Sequence, residues 1–222
     1  MPDELPPNNY VQQTIATYNL IAPDYKLTAT PEMRAWEEQS IKRFSGYLAG
    51  KRVLVPGCGD GRDSRFLASL GLAITSFDLS EQMLKIAMAQ DPQGRYVLLD
   101  LRDIAQCAGP YDGIFASGCL YHLAKPEFAQ CVQSCRALLS PAGVLYLNMK
   151  EGHGERFEDK PGPRYPGGAE ARERLQGKRF YAYYQYEELR CVLQDFEILH
   201  EQKLLLGDGA FEFWARKPGA AT

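Results

Sequence analysis

No stretch of the 222-residue sequence holds the ~18 consecutive apolar residues that a membrane-spanning helix needs, so no membrane partner is expected. The opening residues, MPDELPPNNYVQQ, carry neither a basic region nor an apolar run, and a secretory leader is not expected either. Positive charge is not in excess. Lys and Arg number 25 against 28 Asp and Glu, a formal net charge of −3, which argues against a general nucleic-acid binder. The six cysteines, Cys58, Cys107, Cys119, Cys131, Cys135 and Cys191, include no CxxC pair. Cys131 and Cys135 lie one helical turn apart without further ligands nearby. The cysteines therefore read as small apolar core residues of a reduced, cytoplasmic protein, and no metal site is expected. Histidine is scarce, with His122, His153 and His200 the only three, which leaves few candidates for a general base. There is no internal repeat.

What is present is an alternation of short apolar runs with helical patterns. Two helices come first, over Val11 to about Pro23 and from Pro31 to Leu48, the second with a Thr30 cap and proline at its first position. Then "RVLV", "AITSFD", "RYVLLD", "YDGIFASG" and "GVLYLNM" read as strands, with helices such as "SEQMLKIAMAQ" and "KPEFAQCVQSCRALLS" between them. Strands that alternate with helices make a parallel sheet covered on both faces. "EILHEQKLLL" and "AFEFWARK" follow each other without a helix, so they must pair antiparallel. The expected fold is α/β: a doubly wound, seven-stranded, mostly parallel sheet whose last strand is antiparallel. Residues 1–48 are expected to form a helical cap segment and residues 49–222 the main domain.

Residues 151–179 break the rhythm. They hold three prolines and six glycines, few apolar residues, and charges of both signs. The segment leaves the carboxyl end of a parallel strand, the edge at which α/β proteins bind ligands, and it returns through the aromatic run Phe180, Tyr181, Tyr183 and Tyr184. It is expected to be a lid-like insertion, mobile without ligand and open to proteolysis between Arg156 and Lys178; a passive surface loop is the alternative.

The stretch "VPGCGDGRD" follows the first strand. Gly57, Gly59 and Gly61 permit positive φ and close backbone approach, and the next helix turns free N–H groups toward the loop. Asp78 ends the second strand, where an acid about 20 residues on accepts hydrogen bonds from ribose hydroxyls. The G-x-G-x-x-G dinucleotide fingerprint fails in both registers, because Arg62 or Ser64 stands where the third glycine belongs. That argues against a nucleotide-cofactor oxidoreductase.

From these residues the chain resembles the class I S-adenosylmethionine-dependent methyltransferases. "VPGCGDG" is similar to their first motif, "FDLSEQML" to the second-strand acid and helix start, and "LLDLRDI" to the acid loop after the third strand. "YDGIFASGCLYHL" and "ALLSPAGVLYLNM" complete the series. Val55 stands where many members have an acid, and the first motif also resembles that of thiol, thiopurine and halide methyltransferases. The resemblance implies S-adenosyl-L-methionine as cofactor and a small-molecule substrate for a monomer or homodimer. It implies that Gly57, Cys58, Gly59 and Gly61 cradle the methionine half and that Asp78 holds the ribose. Leu79 and Met83 would sandwich the adenine, with Asp100 and Leu101 reading its edge, and Ser117 and Gly118 would lie beneath the methionine moiety. Tyr18 and Tyr25 would fold over the cofactor. His122, Tyr183 and Lys150 are the catalytic candidates. Each has a plainer reading: His122 as a packed histidine, Met83 as core filling, Asp63 as a favourable charge on a helix dipole, Tyr183 as core burial and Lys150 as a solvated loop residue. A cofactor-binding protein without catalysis remains the second functional reading.

Overall fold

The computed structural model describes residues 9–28, 30–159, 168–204 and 209–219. Helices α1 (Tyr10–Ile21) and α2 (Pro31–Tyr47) precede β1 (Arg52–Pro56), α3 (Arg62–Ser69), β2 (Ala73–Asp78), α4 (Glu81–Gln90), β3 (Arg95–Leu98), β4 (Tyr111–Ala116), α5 (Lys125–Leu138) and β5 (Leu139–Lys150). Then come β6 (Glu155–Asp159), α6 (Gly168–Arg174), β7 (Lys178–Ala182), α7 (Tyr186–Val192), β8 (Glu197–Leu204) and β9 (Ala210–Arg216). The main sheet has seven strands in the order β3-β2-β1-β4-β5-β9-β8. β9 runs antiparallel to both β5 and β8, and the other pairings are parallel. The strand order turns back between β1 and β4, and that switch point opens a crevice at their carboxyl ends.

Val53, Leu54 and Val55 are all buried because helices cover both faces of β1. On one face α2 and α3 close over Val53, Val55, Phe115, Tyr146 and Trp214. Phe44 of α2 meets Phe115 edge-on at 5.2 Å, and Phe115 stacks on Tyr146 at 4.3 Å. Gly113 makes room there, since a Cβ on it would stand 2.5 Å from Phe44 Cζ. The same layer buries Glu212, which accepts from Ser40 Oγ at 2.7 Å, from Tyr146 at 2.6 Å and from Gln202. The two N-terminal helices thus do different things: α2 is part of the sheet's cover, and α1 lies over the crevice.

Where it is described, the insertion expected to be lid-like carries regular structure. β6 and β7 pair antiparallel as a two-stranded ribbon, with Phe157 opposite Phe180 and Arg156 opposite Tyr181. Five-residue strands separated by a glycine- and proline-rich connection leave only a faint alternation in the sequence. The ribbon gains its core from outside: Tyr10 of α1 packs on Phe180 at 4.4 Å, the Phe180 N–H donates to Thr14 Oγ1 at 3.0 Å, and Thr17 Oγ1 donates to the Lys178 carbonyl at 2.7 Å. Of the stretch between Arg156 and Lys178 where cleavage is expected, residues 160–167 lie outside the described residues. No described helix is long and apolar enough to cross a membrane.

Candidate active site

A cleft opens at the switch point. Gly57, Gly59, Asp78, Leu79 and Met83 line it from β1, β2 and α4, and Asp100 and Leu101 from the turn after β3. Gly118, His122 and Leu123 contribute after β4, and Tyr18 and Tyr25 form its roof. Cys58, Gly61, Ser117, Lys150 and Tyr183 lie outside that lining.

The three loop glycines share positive φ, at 59°, 55° and 76°, but for different surroundings. A Cβ on Gly57 would stand 2.3 Å from Cys119 Cβ, and one on Gly61 3.0 Å from Ala87 Cβ. These two glycines let the loop pack on the protein. A Cβ on Gly59 would meet nothing closer than Tyr25 Cε1 at 3.6 Å, so Gly59 alone of the three faces open space.

Asp78 Oδ2 accepts from the Gly59 N–H and Oδ1 from the Ser80 N–H, each at 2.8 Å. Burial lifts its pKa above the usual carboxylate range, and the N–H groups of Ser80, Gly59 and Leu79 oppose that rise. Each oxygen keeps a lone pair for a further donor. Ser80 caps α4 through the Met83 N–H at 3.2 Å, and its hydroxyl donates to Asn19 Oδ1 of α1 at 2.7 Å. Met83 is 1% exposed and packs with Ile21, Ala22 and Leu175, so it fills the core and borders the cleft at once. Asp100 caps its own turn through the Arg102 N–H at 2.9 Å and pairs with the Arg102 guanidinium at 2.7 Å.

His122 has both ring nitrogens engaged. Its Nδ1 lies 2.7 Å from the Phe180 carbonyl, which can only accept, so Nδ1 carries the proton. Nε2, 2.8 Å from Tyr18 Oη, is then the acceptor for the phenol. Burial lowers the imidazole pKa to about 3 against the supporting Phe180 hydrogen bond, with the charges of Arg179 and Lys150 adding to the fall. His122 is therefore neutral and holds the Tyr18 phenol by a hydrogen bond. Burial raises the Tyr18 and Tyr25 phenols above their usual value.

Behind the loop, Arg62 chelates Asp60 at 3.0 Å, donates to the Tyr25 carbonyl at 3.2 Å, and lies 4.9 Å from the Tyr25 ring centre. The residue that broke the dinucleotide fingerprint thus ties the roof to the loop. Asp63 does not line the cleft. It lies 3.5 Å from Arg34, which also pairs with Glu37, and burial pushes the Glu37 carboxyl up to about 7. Tyr183 is buried beneath the Arg156 guanidinium, 3.8 Å above its ring. Tyr121 and Arg179, which sequence reasoning did not select, pack around His122 and Tyr18. Their only sequence signals were adjacency to His122 and a basic residue opening an aromatic strand. Among the described residues no three His, Cys, Asp or Glu side chains form a metal-ligating group.

The fit to S-adenosylmethionine is chemical. A desolvated carboxylate stands ready for hydroxyls, Phe77, Leu79, Met83, Leu99 and Leu101 offer apolar walls for a purine, and Gly59 leaves a cradle open. Strand order, switch-point cleft and glycine loop together are those of the class I S-adenosylmethionine-dependent methyltransferase fold. Residues 53–143 match the methyltransferase domain family. The ubiquinone biosynthesis O-methyltransferase of Bordetella pertussis is 35% identical over 114 residues, 49% of this chain and 46% of that one. That of Xanthomonas oryzae pv. oryzae is 33% identical over 106 residues, 46% of this chain and 44% of the relative. The chain spans a little under half the length of the curated relatives it matches. Among solved structures, the DhpI-SAM-HEP complex superposes with a TM-score of 0.72 at 17% identity, covering 96% of this chain and 100% of that one. The CcbJ methyltransferase of Streptomyces caelestis gives 0.68 at 18% identity, covering 91% and 98%.

Proposed function

We propose that the chain is an S-adenosylmethionine-dependent methyltransferase acting on a small-molecule acceptor. The observation that carries this reading is Asp78, a desolvated carboxylate beside the open face of Gly59 at the switch point. In this reading Asp78 binds the ribose hydroxyls, Leu79 and Met83 flank the adenine, and Asp100 and Leu101 read its edge. The loop of Gly57, Cys58, Gly59 and Gly61 holds the methionine half with Ser117 and Gly118, beneath Tyr18 and Tyr25. The cofactor supplies a methyl group already activated as part of a sulfonium.

The protein's part is to bind, align and exclude water. The rings of Tyr18 and Tyr25, 6.1 Å apart and edge-on, close the cleft from above. Tyr18 is fixed by His122, which is fixed in turn by the Phe180 carbonyl. With both nitrogens engaged, His122 serves as a positioning residue; Lys150 and Tyr183 belong to the surrounding cluster. Helix α1 of the cap segment and the β6–β7 ribbon of the insertion together enclose the acceptor. In the same reading the enzyme is cytoplasmic, a monomer or homodimer, with no nucleic-acid or membrane partner. The test is calorimetry with S-adenosylhomocysteine and NAD, followed by a labelled-methyl screen over amines, thiols, phenols, carboxylates and halides. Micromolar binding of S-adenosylhomocysteine and product with at least one class are expected; heat with NAD alone refutes the reading.

A further inference from the structure

One end of the cleft adjoins positive charge wrapped in tyrosine. Lys150, the last residue of β5, holds its Nζ 5.3 Å from the ring centres of both Tyr121 and Tyr181. Those two rings stack 5.7 Å apart. Arg179 of β7, 6% exposed, lays its guanidinium 5.5 Å from the Tyr18 ring centre and donates to the Leu175 carbonyl at 2.8 Å. His122 sits among them, 4.8 Å from both the Tyr121 and Tyr181 ring centres. The fields of Arg179 and Lys150 both reach its imidazole. The cluster meets the cleft at Gly118, where Tyr121 Oη lies 3.4 Å from the place a Cβ would occupy. The acids of the cleft, Asp78 and Asp100, belong to the opposite side, at the ends of β2 and β3. The cleft is therefore polarised along the sheet edge.

Tyrosines beside a methyl-transfer site have two chemical uses. Free ring faces hold ammonium ions. Here Tyr18, Tyr121 and Tyr181 already lie against the protein's own cations, and a cationic acceptor would meet like charge. Ammonium, guanidinium and phenol groups are instead donors for a negative oxygen. Resting on the methyltransferase reading, we propose that the acceptor is a small molecule bearing an oxyanion, a carboxylate, phosphonate or phosphate. Lys150 and the phenols of Tyr121 and Tyr181 hold it, and Arg179 adds its field and steadies Tyr18.

Two measurements test this. Acetate, methylphosphonate and inorganic phosphate are titrated calorimetrically into the protein with and without S-adenosylhomocysteine. A labelled-methyl screen uses acceptor sets matched in shape, each as carboxylate, phosphonate, phosphate ester, primary amide and ammonium. At least one anion is expected to bind one-to-one, and the accepted member of a set to be an oxyanion; the carboxylate and phosphorus arms tell the sources apart. Lys150→Met should weaken anion binding and raise KM at least ten-fold, with kcat less affected and S-adenosylhomocysteine affinity unchanged. Lys150→Arg should retain most of the affinity, and melting curves confirm that both variants fold. Absence of anion binding, preference for an amide or ammonium acceptor, or unchanged anion affinity in Lys150→Met overturns the proposal while leaving the methyltransferase reading standing. Failure of S-adenosylhomocysteine to bind overturns that reading, and the anion titration of the free protein still decides this one.

Discussion

Gly57→Ala and Gly59→Ala form a matched pair that separates backbone strain from packing. Their φ values, 59° and 55°, are nearly the same, so an alanine at either position meets the same left-handed penalty of roughly 1–2 kcal/mol. Both substitutions also stiffen the unfolded chain to the same degree. What differs is the neighbour. At position 57 the new methyl stands 2.3 Å from Cys119 Cβ, a contact that only a backbone shift relieves; at 59 it finds Tyr25 at 3.6 Å, an ordinary contact. Overpacking of the first kind costs about 1–3 kcal/mol. Gly57→Ala should therefore be less stable than Gly59→Ala by that amount in urea unfolding, or by several degrees in melting temperature at roughly 2–4 °C per kcal/mol for a chain of this size. Gly59→Ala should keep more stability yet lose affinity for S-adenosylhomocysteine, because its methyl enters the cleft. Equal losses of stability at the two positions would refute the assignment of Gly57 to packing and Gly59 to the ligand.

Asp78→Ala should weaken S-adenosylhomocysteine binding by roughly 1.5–3 kcal/mol per charged hydrogen bond lost, measured by calorimetry at constant pH. The folded His122 pKa of about 3 lies below its unfolded value, so the unfolded state binds the extra proton and His122 destabilises the fold as pH falls below about 6.5. The wild-type stability minus that of His122→Gln should then fall with a slope of up to about 1.4 kcal/mol per pH unit toward acid; a flat difference from pH 7 to 4 contradicts the buried neutral imidazole. Glu37, raised to about 7, contributes with the opposite sign between pH 4.5 and 7, which is why the difference and not the wild-type curve is read. Ala142 has φ +62°, so Ala142→Gly should stabilise the fold by roughly 0.5–1 kcal/mol, left-handed strain less the added chain entropy, in urea unfolding.

The glycine-loop side of the cleft was legible because its residues sit where the rules of parallel sheets put them. Connection and handedness put the loop after β1 and the end of β2 at the switch point, and Asp78 lines the cleft there. The reason for Gly57 was not legible, since Cys119 approaches it from the loop after β4, 62 positions later in the chain. The role of His122 was equally hidden: its two hydrogen bonds come from Tyr18 and Phe180, on α1 and β7, and no spacing announces either. The β6–β7 ribbon escaped because its burial comes from α1 and not from a face of its own.

That distribution of contacts bears on what the relatives can say. The segment matched to the methyltransferase domain, residues 53–143, contains Gly57, Gly59, Asp78, Met83, Asp100 and Gly118. It stops before Lys150, Arg179 and Tyr181, and begins after Tyr18 and Tyr25. The matched segment thus supplies the floor of the cleft together with Tyr121 and His122, and the rest of the chain supplies the roof and the cluster's Lys150, Arg179 and Tyr181. Thr14 and Thr17 bind α1 to β7, and Asn19 binds it to Ser80 beside Asp78. Roof and floor are therefore tied by short polar side chains. On the proposed reading, similarity over the floor speaks to the cofactor, and the acceptor is to be read from Lys150, Arg179 and their tyrosines.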